Sequence, residues 1–173
     1  MIIERATKAD ARAIAIVHVL AWHETYRGLM PDAVLASLDP REREAMWHRV
    51  IGGQDGVFVL RDGPRIAGFA AAGPNRDANL PQAGMIGSIY LLSQAQRRGH
   101  GRRLMGTLAR HLLATGLTDV VLWVAADNHG ARYFYESLGG TAVSELIEEH
   151  QGWRLPCIAY AWTDLVELSR HAP

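Results

Sequence analysis

Hydrophobic positions along this chain change period several times, and each change marks an element. "MIIER" at the start fits a short strand. Thr7 and Asp10 stand three residues apart, the signature of a capping box. Ile14, Val17 and Ala21 then recur at helical spacing, which predicts a helix from about Lys8 to His23. Gly28 and Pro31 interrupt it. Pro31 suits the first turn of a second, short helix carrying Val34, Leu35 and Leu38. Asp39-Pro40 opens a third, with Glu42 at the capping position and Met46, Trp47 and Val50 on its inner face; Gly52 and Gly53 end it.

The period then drops to that of strands. "GVFVLRDGPRIAGFAAAG" reads as two strands around a turn at Asp62-Gly63. After the polar loop "PNRDANLPQAG", the stretch "MIGSIYLL" is another strand. Leu104, Met105, Leu108, Leu112 and Leu113 share one face of a helix that Gly116 can end. "DVVLWVAA" is almost unbroken in its apolarity, as a strand covered on both faces should be. Asn128 can cap the next helix, where Ala131, Phe134, Tyr135 and Leu138 recur until Gly139 and Gly140 stop it. "TAVSELIEEH" and roughly "LPCIAYAW" supply two last strands. The order predicts a mixed α/β (α+β) fold: one sheet of about seven strands flanked by helices. With no repeat, low-complexity tract or linker, the 173 residues read as a single domain, 1–173.

Charge changes this picture in one place. Eighteen basic and 18 acidic residues cancel, so nothing draws the whole chain to nucleic acid or an anionic membrane. Yet "QRRGHGRRLM", Gln96 to Met105, puts two glycines and four arginines at a strand-to-helix junction. Glycine lets the backbone approach a ligand, and the first amides of a helix are unpaired and partly positive. Together they make a cradle for phosphate or pyrophosphate, with some of the arginines reaching the anion and others pointing to water. P-loop spacing is missing, and Leu104 occupies the small-residue position of a dinucleotide fingerprint. Cys157, the only cysteine, excludes an internal disulfide framework, and no Cys/His cluster suggests a metal. No signal peptide or apolar run of the ~20 residues a membrane span needs is visible, so a cytoplasmic location is expected.

Gln96-x-x-Gly99-x-Gly101, following the "IYLL" strand ending, resembles the Q/R-x-x-G-x-G/A signature of the GNAT superfamily of N-acetyltransferases. "NHGARYFYESLGG" resembles the superfamily's second signature, N-x-x-A-x-x-F-Y-E-x-x-G, with Asn128, Ala131, Phe134, Tyr135, Glu136 and Gly139 in register. "AWHETYRGLMPDAVLASL" also looks like the acceptor-side helices of many bacterial members.

This resemblance implies a sheet that splays between the strand ending at Leu92 and the strand 120–126, with acetyl-CoA as co-substrate in the opening. Its pyrophosphate would meet the amides of about Arg98 to Arg102, and its pantetheine arm would run beside Leu91, Leu92 and Ser93 like an added strand. The implied coenzyme contacts are those three with Gln96, Arg97, Arg98, Gly99, His100 (through its backbone), Gly101, Arg102 and Asn128. Tyr135 takes the place of the general acid that protonates the departing sulfur, with Tyr133 the less suited neighbour. A main-chain amide near Leu91 or Leu92 would stabilise the oxyanion. A primary amine, borne by a small molecule or a peptide, would attack directly in a ternary complex. Trp22, His23, Glu24, Tyr26 and Tyr90 would line its pocket, with Ser88 sharing the face of Tyr90. The base stays unassigned. His23 and Glu24 compete with their reading as exposed helix-end residues, and "EEH", with Glu145 further back, reads as a solvated loop. Homodimers occur in such families, and Trp153 or Trp162 would serve one if exposed, although packing is the plainer use of either.

Plainer readings stand beside these. Gly99 and Gly101 make a turn with close helix packing, Asn128 is a cap alone, Cys157 is a small buried residue, and Tyr135 is a core aromatic with its hydroxyl satisfied by backbone. The competing function is a non-catalytic acyl-CoA sensor.

Overall fold

Our computed structural model describes residues 1–150 and 153–173, apart from the side chain of His150. Strand β1 (Ile2–Arg5) leads into the expected box, where Asp10 Oδ2 accepts from the N–H and hydroxyl of Thr7, both at 2.9 Å. The box caps a single 3-10 turn, and α1 itself runs Ala11–Tyr26, one turn beyond the expected end at His23. Helix α2 (Asp32–Ala36) is short, and α3 (Pro40–Ile51) starts where Asp39 Oδ1 accepts from Arg41 N–H at 2.8 Å. Hairpin β2 (Gly56–Asp62) and β3 (Arg65–Pro74) turns at Gly63, whose φ of +56° favours glycine.

Next come β4 (Gly84–Leu91), α4 (His100–Ala114), β5 (Val120–Ala125) and α5 (His129–Glu136). A long hairpin, β6 (Thr141–His150) and β7 (Trp153–Trp162), precedes α6 (Leu165–Ser169). Glu145, Glu148 and Glu149 therefore lie in β6 and pair with β7, as the strand reading of "TAVSELIEEH" expected and against the reading of "EEH" as a solvated loop. The sequence pattern also missed α6; its start is set by Asp164, whose Oδ1 accepts from Val166 N–H at 2.8 Å.

The seven strands lie in the order β1-β2-β3-β4-β5-β7-β6, antiparallel except for β4 beside β5. That parallel pair holds for two positions, Gly84 with Val120 and Met85 with Val121, and then opens. The cause lies on the other edge of β4. Ala72 pairs with Ile86 and Ala71 with Ser88, so Gly87 is an extra residue, a bulge that bends the strand. Beyond it β4 follows β3, while β5 follows β7. The sheet splays as expected.

Leu104, Met105, Leu108 and Leu112 of α4 bury one sheet face with Leu122, Val124, Tyr160 and Trp162. Ile14, Val17 and Trp47 cover the other face over Val57, Val59 and Phe69. Each large side chain so buried contributes about 1.5–3 kcal/mol. Trp162 belongs to this core and donates its indole N–H to Leu138 O at 2.9 Å, so it is no exposed dimer contact. Among the described residues no helix is long and apolar enough to cross a membrane.

Candidate functional site

A cleft of about 720 Å³ occupies the splay between β4 and β5. Its β4 wall offers main-chain groups. Leu92 N–H donates to Ala67 O on β3 at 2.9 Å, and main-chain direction alternates along a strand, so the N–H groups of Ile89 and Leu91 face the cleft. Gln96 Nε2 reaches back to Leu91 O at 2.8 Å. Of the three residues expected to pair with a coenzyme arm, Leu91 thus keeps its amide on that side. Leu92 spends its own on Ala67, and Ser93 spends its own on Glu24 at 2.8 Å, although Ser93 still borders the cleft.

Below this wall the turn before α4 is held by two left-handed residues, Arg97 at φ +58° and Gly99 at φ +78°. A non-glycine residue there is strained by roughly 1–2 kcal/mol. The first bond of α4 runs from Arg103 N–H to Gly99 O at 3.1 Å, so the amides of His100, Gly101 and Arg102 have no acceptor within the helix. The arginines divide. Arg97 and Arg102 border the cleft, Arg98 is exposed outside it, and Arg103 reaches back to Met1 O at 3.5 Å. His100 does not border the cleft; its Nδ1 is buried without a partner among the described residues. Burial first, then Arg103, the N-terminal ammonium and Arg98, lower its pKa, so the ring is neutral and adds no cation to the cradle.

The opposite wall is α5. Asn128 Oδ1 accepts from Ala131 N–H at 3.1 Å and the residue also borders the cleft, so the cap and the site coincide. Tyr135 is 7% exposed, with its ring against Tyr160 and Trp162. Its hydroxyl has no partner among the described residues, and the residue borders the cleft, against its reading as a backbone-satisfied core aromatic. Burial, then the nearby Tyr26, push its pKa well up, so the phenol keeps its proton. Tyr133 lies on the rim, 73% exposed. Glu136, the acidic residue of the second motif, accepts from the Tyr160 hydroxyl, which also meets Arg132 Nε at 3.3 Å; that role ties α5 to β7.

At the acceptor end the last turn of α1 brings Trp22 and Tyr26 together, ring centroids 5.1 Å apart. Tyr26 and Tyr90 both have raised pKa values, burial being the main cause; Tyr26 also raises Tyr90 and Tyr135, and Tyr135 raises Tyr90. Three hydroxyls from distant parts of the chain converge here. Behind Tyr90 stands a residue the sequence hid. His18 stacks on that ring at 5.4 Å and accepts from Trp47 Nε1 at Nδ1, 3.1 Å away, which puts its own proton on Nε2. Burial, then Arg43, lower its pKa to about 4. It occupies an apolar position of the α1 stripe, four residues after Ile14, so its spacing marked it as core.

Glu24 borders the cleft and His23 does not. Trp123 closes the far side, donating to Asp77 Oδ2 at 3.2 Å. Cys157 is buried, and burial followed by Glu148 pushes its thiol up to about 12, so it is no nucleophile at neutral pH. The side chain of His150 lies outside the described residues.

Residues 19–140 match the model of the acetyltransferase (GNAT) family. This chain belongs to that family. It is 35% identical to "Uncharacterized N-acetyltransferase YuaI" of Bacillus subtilis, over 96% of this chain and 95% of that one. It is 30% identical to the mycothiol acetyltransferase of Corynebacterium kroppenstedtii over 80% of this chain, but spans only 46% of that protein's length. Among solved structures it is similar to yncA of Salmonella typhimurium, a putative acetyltransferase solved with acetyl-CoA. The TM-score is 0.72 at 21% identity, covering 95% of this chain and 94% of that one. This GNAT chain is thus an N-acetyltransferase.

Proposed function

We propose that this GNAT enzyme moves the acetyl group of acetyl-CoA directly to a primary amine, with Tyr135 as general acid. The observation that carries the reading is the Tyr135 phenol, buried, protonated and without a protein partner, on the cleft wall opposite the unpaired edge of β4. The amides of Gly101 and Arg102, with the side chains of Arg97 and Arg102, would hold the diphosphate. The edge of β4 at Ile89 and Leu91 would lie alongside the pantetheine arm and its thioester.

The chemistry follows from those positions. A neutral amine nitrogen, entering from the Trp22–Tyr26 end, attacks the thioester carbonyl carbon. The Leu91 amide donates to the oxygen as negative charge develops there. As the carbon–sulfur bond breaks, Tyr135 gives its proton to the sulfur and coenzyme A leaves as the free thiol. The nitrogen loses its extra proton to water, and the phenol is reprotonated from solvent. A small-molecule acceptor is supported by the relatives named mycothiol acetyltransferase.

Release of free thiol from acetyl-CoA across a panel of amines, with the native protein and Tyr135→Phe, tests this. We expect amine-dependent release that falls on the order of a hundredfold in the variant. Coenzyme binding without release on any amine would leave a sensor instead.

A further inference from the structure

Glu24 does not present a free carboxylate to the cleft. Its Oε2 accepts from Ser93 N–H at 2.8 Å and its Oε1 from the Ser93 hydroxyl at 3.2 Å. Ser93 opens the 3-10 turn Ser93–Ala95 that joins β4 to the anion cradle. Two residues before it, Leu91 turns its main chain to the cleft; three residues after it, Gln96 bonds back to Leu91 O. The carboxylate therefore pins the point where the strand edge becomes the cradle.

The other end of this contact is the acceptor wall. Glu24 lies on the last turn of α1 between Trp22 and Tyr26, and the chain leaves that helix at once, turning at Gly28 with φ +82°. Ser93 thus ties a helix end that would otherwise fray to the strand it must face.

We infer that Glu24 is a positioning residue: through Ser93 it locks the acceptor wall of α1 to the coenzyme edge of β4. It touches neither thioester nor amine and removes no proton. The inference rests on the acetyl-CoA reading of the cleft.

Three variants decide it. Glutamine at Glu24 can still accept from Ser93 N–H and can donate to the Ser93 hydroxyl, so Glu24→Gln keeps the lock and loses any base. Glu24→Ala loses both. Ser93→Pro removes the main-chain donor and leaves the carboxylate alone; Ser93 is the first residue of its turn, and Leu92 at φ −61°, ψ 147° already has the conformation a following proline demands.

Steady-state kinetics should show Glu24→Gln within about threefold of the native enzyme, with an unchanged pH profile. Glu24→Ala and Ser93→Pro should each raise KM for acetyl-CoA and for the amine by about tenfold. Equal damage in Glu24→Gln and Glu24→Ala, or loss of the acidic limb of the pH profile in Glu24→Gln, would overturn the inference and leave the transferase reading intact. If the native protein released no thiol with any amine, that reading would fall instead. Calorimetry with acetyl-CoA would then decide the lock: weaker binding in Glu24→Ala and Ser93→Pro supports it, and equal binding in all four proteins, or none, overturns it.

Discussion

A methyl group placed on Gly101 would lie 3.2 Å from Cζ of Phe134. The two signature motifs therefore meet across the splay, with the bare backbone of one against the phenyl ring of the other. Glycine is needed at this position for closeness, since a side chain would narrow the cleft between the cradle amides and α5. Gly101→Ala should bind acetyl-CoA about tenfold more weakly by calorimetry, while thermal unfolding shifts by no more than about 1 kcal/mol in stability, because the ring can give and alanine favours the helix.

Tyr135 predicts a feature of the pH profile. Burial raises its pKa, so the acid form persists through the whole neutral and mildly alkaline range and is lost only above the ordinary phenol value. The native kcat should show no alkaline decline from this group between about pH 7 and pH 10. A limb in that range that vanishes in Tyr135→Phe would contradict the raised pKa of this phenol.

His18 links the acceptor wall to acid stability. Its pKa falls from 6.5 to about 4 on folding, so between those values the unfolded chain holds a proton that the folded chain does not. The stabilisation is complete above the unfolded value and is lost as pH drops through this window. It amounts to up to about 3 kcal/mol at 1.36 kcal/mol per unit. Urea unfolding between neutral and acid pH should therefore show a smaller stability loss in His18→Leu, which cannot titrate, than in the native protein.

Gly106 carries a second close approach. A Cβ there would stand 2.1 Å from Ala172 N, so the segment after α6 crosses α4 at this point, where Arg110 Nη1 also donates to Pro173 O at 2.8 Å. Main chain cannot yield as a side chain can. Gly106→Ala should cost about 1–3 kcal/mol in unfolding experiments and expose the bonds around α6 to limited proteolysis.

Sequence alone revealed those parts of the site whose signals are local. The turn from Gln96 to Gly101 announced itself by glycine and charge at a strand end, whereas Tyr135 stood out only through the resemblance of its helix to the second signature. The splay was implied by resemblance, but its cause, the extra residue Gly87, needed the register with β3. What distant segments bring together was not legible. Glu24 and Ser93 are 69 residues apart, and nothing in either neighbourhood marks the other. His18 drew no reading, because it stands in an apolar stripe. Helix α6 has too few residues for a period to show, although Asp164 before Leu165 was a cap in plain view.

The most direct test is a crystal structure of the protein with coenzyme A bound. Our account predicts diphosphate oxygens within hydrogen-bond reach of the amides of Gly101 and Arg102, and the sulfur within reach of the Tyr135 hydroxyl, directly or through one water. A coenzyme seated outside the splay, or a Tyr135 phenol turned away from the sulfur, would contradict it.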